Sequence, residues 1–280
     1  MSQSASRAKP LLAMVALDTP SLPSPQALQE TFPAMPGLFI DWASLQTKEN
    51  AIVFSINNGQ FSLGKAAVAL VTAPIPWSNL EGPCATAWWW PAATERMKAH
   101  TSHILIALNG GSGPLALRYL MLTHLTATVA ARVDAAAHGG TAGIYWPAGS
   151  LVHDSQMFIN QAHNITPNQL PLHLWIDFRI EPMDDGCQPG SDLHRQAKSL
   201  HRLFTTGMRA FHQEEIEIPP THQTPADMLD FATTVAEYII RTNPEIGEEN
   251  TIGRSENEKI PAAYRPSMID PTMTVLRLEY

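Results

Sequence analysis

Between Leu115 and Val133 the chain reads LALRYLMLTHLTATVAARV, a run with the length and spacing of a helix and apolar residues on most of its faces. Such a helix cannot lie on a surface with one stripe turned inward; it has to be covered nearly all round. Before it comes the cleanest buried-strand signal in the chain, His103–Leu108, whose ILIAL core is closed by Gly110-Gly111-Ser112-Gly113. A buried strand that turns straight into a buried helix requires a layered core. With 44% hydrophobic and 16% charged residues, the composition can supply one.

Other runs fill in the layers. Leu11–Leu17, Leu38–Trp42, Ala51–Ile56, Phe61–Ala73, Gly143–Trp146, Leu172–Ile180, Glu215–Ile218 and Thr274–Leu278 read as strands, with Asn57-Asn58-Gly59 as a turn. Helices are expected to start at Ser24-Pro25, over Ala85–His100 (limited or kinked by Pro91), over Val152–Gln161 and over Leu193–Leu203. A last one runs from the cap Thr224-Pro225 to about Arg241, where Asn243-Pro244 stops it. Strands in runs with irregularly interspersed helices predict an α+β fold, a mixed β-sheet with packed helices or two closely associated α/β halves. The length of 280 residues fits a single large domain, 1–280, with 1–148 and 149–280 as the candidate subdomains.

Arg7 and Lys9 before Leu11–Leu17 imitate the start of a signal peptide, but Asp18 and Pro20 close the run too early, so a soluble, cytoplasmic chain is expected. Two cysteines, Cys84 and Cys187, permit one disulfide; buried reduced thiols are the better reading.

Charge is distributed unevenly. Residues 1–148 hold 8 basic and 7 acidic side chains, whereas 149–280 hold 10 and 19. An acidic half argues against nucleic acid as a partner, because phosphates need a basic surface. It suits a basic protein partner, and equally a solvated face that keeps the chain soluble.

No residue pattern points to catalysis. His100 and His103 lie three apart and His194 and His201 seven apart, neither with the ligand spacing and acidic or thiol neighbour of a zinc site; His100 reads better as a helix-end cap. Gly111-x-Gly113-x-x-Ala116 loosely matches a dinucleotide fingerprint, but Asp134 falls at the end of the helix instead of ending a second strand. There is neither a phosphate-binding G-K-[ST] nor a G-x-S-x-G elbow, and the adjacent acids Asp184-Asp185, Glu214-Glu215 and Glu248-Glu249 sit in polar surroundings. No catalytic residue, cofactor or metal is expected. Trp88-Trp89-Trp90 is the oddest local feature. On a helix Trp90 would join Ala93 and Met97 in the core while Trp88 takes a more polar side, available to a partner unless a neighbouring element covers it.

Several segments resemble a bacterial family catalogued as domain of unknown function 4261: VALVTAPIPWSNLEGPCATAWWWPAA (Val68–Ala93), HTSHILIALNG (His100–Gly110), GIYW (Gly143–Trp146), TTGMRAFHQEEIEI (Thr205–Ile218) and GEENTIGRSENEKIPAAY (Gly247–Tyr264). Members of that family look like accessory or immunity proteins, some encoded beside toxins of type VI secretion systems. The resemblance implies an immunity protein that binds and neutralises a cognate toxin, and it implies no enzymatic role; Trp90, Pro91, His100 and Gly253 are structural in this reading. Glu214, Glu215, Glu248, Glu249, Glu256 and Glu258, with Trp88, are the candidate partner-binding residues, suited to a basic effector such as a nuclease. The alternatives are an enzyme of unrecognised type using histidines and carboxylates, or a structural subunit of an assembly.

Overall fold

A computed structural model describes residues 9–32, 39–136, 140–165, 169–183, 200–247, 250–255 and 257–280. The chain divides into two compact units, Met1–Leu174 and Trp175–Tyr280, a boundary later than the change of charge at 148/149. Seven α-helices and two sheets among the described residues make an α+β fold. None of the described helices is long and apolar enough to cross a membrane.

The first unit is built on a seven-stranded sheet in the order β2 (Phe39–Lys48), β3 (Ala51–Asn57), β4 (Ser62–Val71), β5 (Ser102–Asn109), β1 (Leu11–Leu17), β6 (Thr141–Trp146), β7 (Leu151–His153). Every neighbouring pair is antiparallel. Because β5 and β6 both run against β1, they run parallel to each other with β1 between them. The crossover joining them is the helix α4 (Leu115–Asp134). It packs on β1, β4, β5 and β6 and is flanked by α1 (Pro25–Thr31) and α5 (Ser155–His163), which is why it is buried on most of its faces. Asp134 closes the crossover, accepting the Thr141 N–H at 2.8 Å.

On the opposite face α2 (Trp77–Thr86) and α3 (Ala93–Ala99) bury Leu80, Cys84, Trp90, Ala93 and Met97 against Ala16, Ala142, Tyr145 and Val152. A single helix over Ala85–His100 was expected. The chain instead starts the helix at Trp77, leaves it at Ala87, and turns through the three tryptophans before α3. Trp90 reaches the core from this turn and lies on Gly143, where a Cβ would collide with its ring.

The second unit carries a six-stranded mixed sheet, β11 (Thr251–Ile252), β12 (Ile260–Pro266), β13 (Thr274–Leu278), β10 (Glu215–Thr221), β9 (Leu200–Thr206), β8 (Asp177–Met183), in which only β10 and β13 are parallel. The helix α7 (Pro225–Thr242) lies across β8, β9 and β10 and buries Met228, Phe231, Ala232, Val235, Ala236 and Ile239. Three expectations are corrected. Leu200–Leu203, read as the end of a helix, is strand; the rest of that segment lies outside the described residues. Leu172–Trp175 is a turn of helix, α6, with strand only from Asp177. Val152 belongs to β7, and α5 begins at Ser155 under an Asp154 cap.

Candidate partner-binding site

A cleft of about 360 Å³ lies between α7 and the segment that follows it. Local chemistry builds both walls. Thr224 caps α7: its Oγ1 accepts the Asp227 N–H at 3.1 Å and donates to the Asp227 carboxylate at 2.7 Å, while Pro225 takes the first-turn position where no N–H is missed. Asn243 ends the helix in the left-handed region (φ +45°), its N–H returning to the Ile239 carbonyl at 2.8 Å, and Pro244 turns the chain away. Phe231, Thr234, Val235 and Tyr238 then form one stripe at helical spacing along the cleft, and Tyr238 is 47% exposed.

The second wall is made by residues 244–246 and 250–254, Ile246 and Ile252 among them. β11 pins it to β12, with Thr251 opposite Pro261 and Ile252 opposite Ile260. A Cβ on Gly253 would overlap the Glu258 carbonyl, so only glycine fits there. Arg254 holds the corner. Its guanidinium bonds to Asp230 on α7 (3.0 Å), to Glu258 (2.7 and 3.1 Å) and to the Tyr280 hydroxyl (2.8 Å), and lies over the stacked rings of Phe231 and Tyr280. These contacts raise the Arg254 pKa and hold the Glu258 carboxyl below the ordinary glutamate value, its hydrogen bonds from Arg254 being the main cause.

The acids singled out in the sequence fare differently. Glu248, Glu249 and Glu256 lie outside the described residues. Glu258 is committed to Arg254, and Glu214 pairs with Arg209 at 3.2 Å beside Tyr264. Glu215 is withdrawn as a surface contact. It is 7% exposed, and its carboxylate accepts the Thr205 hydroxyl (2.8 Å) and the N–H groups of Gly207 (3.0 Å), Met208 (3.1 Å) and Arg209 (3.3 Å). Glu217, two residues on, does the same for a second loop, accepting the Ser267 hydroxyl and the Met268 N–H. Alternation along β10 turns both carboxylates to one side of the sheet, where they anchor loops. Two residues that were missed, Tyr238 and Glu245, line the cleft and are exposed. The Phe231, Val235, Tyr238 spacing was a signal for the first; nothing local marks the second.

In the first unit Trp88 is 79% exposed, with Trp89 edge-on to it at 5.6 Å, so no neighbouring element among the described residues covers all three tryptophans. His100 is a structural clamp: Nδ1–H donates to the Met97 carbonyl at the end of α3 and Nε2 accepts the Ile75 N–H at 2.7 Å. His103 Nδ1 bonds the Ala73 carbonyl at 2.8 Å, and burial lowers its pKa. His194 and Cys187 lie outside the described residues. Among the described residues no group of three His, Cys, Asp or Glu side chains is arranged to hold a metal. Burial pushes the Cys84 thiol up to about 11, which disfavours its thiolate form.

Residues 204–279 match the family model for a domain of unknown function, DUF4261. The likeness to that family lies in this segment, 76 of the 280 residues. The segment contains β10, α7, both walls of the cleft, and the Thr205–Ile218 and Gly247–Tyr264 motifs; the three earlier motifs lie before the match. No curated protein and no solved structure matches the chain.

Proposed function

We propose that the chain is a non-catalytic binding protein that neutralises a basic protein toxin in the cytoplasm, engaging it through the acidic surface around the α7 cleft. The observation that carries this reading is the coincidence of shape and charge in one short stretch. Residues 225–258 hold eight acidic side chains against two basic ones, Arg241 and Arg254, and the two basic ones are already paired within the fold. The same stretch forms the cleft, whose lining mixes apolar Phe231, Val235, Ile246 and Ile252 with the exposed Tyr238 and Glu245. Aromatic anchors inside a charged rim are the usual composition of a binding hot spot. The second unit as a whole holds 10 basic and 18 acidic residues, and so carries the entire net charge of −8.

A stable complex needs roughly 800 Å² per partner, more than this cleft offers, so the acidic rim would share the contact. The test is co-expression with the product of a neighbouring toxin gene. The reading expects a stoichiometric complex and rescue of growth. A chain that neither binds nor protects against any toxin encoded beside it refutes the reading.

A further inference from the structure

Arg118 is a buried charge without a counter-ion among the described residues. It occupies the first turn of α4 and is 7% exposed. Its Nε donates to the Leu63 carbonyl at 3.1 Å, Nη2 is buried with no hydrogen-bond partner, and no carboxylate among the described residues pairs with it. Burial lowers its pKa. An unpaired guanidinium in a low-dielectric setting is costly, and structures ordinarily supply an anion to offset it.

The guanidinium lies at the Gly110–Gly113 loop. The Leu63 carbonyl that accepts its Nε–H is the same group on which Gly111 packs, where a Cβ would overlap it. The lean of helical side chains toward the N-terminus puts it there as well. Gly110 and Gly111 take positive φ (+65° and +93°), and the Ser112 N–H holds the loop to the Ser62 carbonyl at 2.8 Å. Close packing on Leu63 explains the glycines; it does not explain an uncompensated charge behind them.

The loop opens α4 at its positive end. Pro114 caps the helix without a side-chain hydrogen bond, so the cap residue leaves the first amides, those of Leu115, Ala116 and Leu117, without a side-chain acceptor of its own. The loop also follows the C-terminal end of β5, where the crossover to the parallel strand β6 begins, a position that favours anion binding. We propose that the Gly110–Gly113 loop and the first turn of α4 bind a phosphate-sized oxyanion, free or as a phosphomonoester. The amides of residues 115–117 and the exposed Ser112 would supply the hydrogen bonds, and Arg118 the charge behind them. This site lies in the first unit and is independent of the α7 cleft.

The experiment is a titration of the whole chain with inorganic phosphate at constant ionic strength, followed by amide chemical shifts and by thermal unfolding, with sulfate, acetate and chloride as parallel arms. Saturable shifts of the Gly110–Gly113 and Leu115–Leu117 amides at millimolar phosphate are expected, with a rising Tm. Sulfate should act similarly, acetate more weakly, chloride not at all. Arg118→Met should bind phosphate at least roughly tenfold more weakly, while its Tm in anion-free buffer equals or exceeds that of the parent, because an unpaired charge has been removed. Arg118→Lys, which keeps the charge, should retain part of the binding. Absence of saturable shifts in the parent, or shifts confined to other segments, overturns the proposal whether or not the variants fold. So does a parent indifferent to phosphate alongside an Arg118→Met chain destabilised in anion-free buffer.

Discussion

Arg254 and Glu258 are joined by three hydrogen bonds: the Arg254 backbone N–H at 2.6 Å, Nε at 3.1 Å and Nη2 at 2.7 Å all donate to one carboxylate. The same guanidinium reaches Asp230 on α7 and Tyr280 near the end of β13. One side chain therefore ties the loop, the helix and the last strand together, and one wall of the cleft depends on it. Gly253 makes the turn feasible, since any Cβ there would overlap the Glu258 carbonyl. Gly253→Ala is expected to cost about 2 kcal/mol or more, as overpacking against backbone does. Urea unfolding measures this; an unchanged midpoint would show that the loop can shift at no cost.

Neighbouring acids should behave in opposite ways. Glu215→Ala leaves three backbone N–H groups and a hydroxyl without their acceptor, and a loss of about 3 kcal/mol is expected. Glu214→Gln breaks only an exposed pair with Arg209 and should change stability by about 0.5 kcal/mol or less. Hydrogen exchange at Gly207–Arg209 gives a local check, with protection lost in the first variant and kept in the second.

Acid should destabilise the first unit through two histidines. Burial lowers His153 to about 4, partly opposed by its hydrogen bond to the Leu174 carbonyl, and lowers His124 to about 4, with His163 adding to the effect. Both folded values lie below the ordinary 6.5. Their contribution is thus complete above about pH 6.5 and lost as pH falls toward 4, because the unfolded chain takes up the protons first. Each is worth on the order of 3 kcal/mol over that window. The urea midpoint should fall steadily across it, and His124→Leu should flatten the slope; equal slopes for parent and variant would contradict the assignment.

The tryptophans should separate by position. Trp88→Ser is expected to leave stability within about 0.5 kcal/mol, since the side chain is solvent-exposed. Trp90→Ala opens a cavity against Gly143 and Met97 and should cost about 3–5 kcal/mol. Similar losses for both would mean that Trp88 is covered in solution.

Elements whose ends carry their own chemistry were readable in advance. Leu11–Leu17 is bounded by Pro10 and Asp18, and α7 by Thr224-Pro225 and Asn243-Pro244, and each appears where those residues put it. The errors arose where spacing alone was the guide. Leu200 and Phe204 are four apart and fit a helix stripe, yet pairing of β9 with β8 and β10 decides their conformation. The tryptophan turn was hidden because Ala85–His100 has helical composition; Pro83 lies inside α2, and Pro91 follows the break. For the site, an acid in the sequence shows neither its burial nor its donors, so Glu215 looked like Glu214 until β10 turned it inward. The unpaired state of Arg118 depends on which carboxylates fold nearby, which no local pattern records.

The most direct measurement is the association rate of the chain with a basic toxin encoded beside it, taken over a salt series for the parent, for a Glu245, Glu248, Glu249 and Glu256 to glutamine variant, and for Tyr238→Ser. The account predicts a fast, salt-sensitive rate for the parent and a slower rate with a flatter salt dependence for the glutamine variant. It predicts faster dissociation for Tyr238→Ser, by roughly tenfold or more, as for a hot-spot anchor. Association and dissociation rates identical to the parent in both variants would contradict it, because the toxin would then be held by a surface other than the acidic cleft along α7.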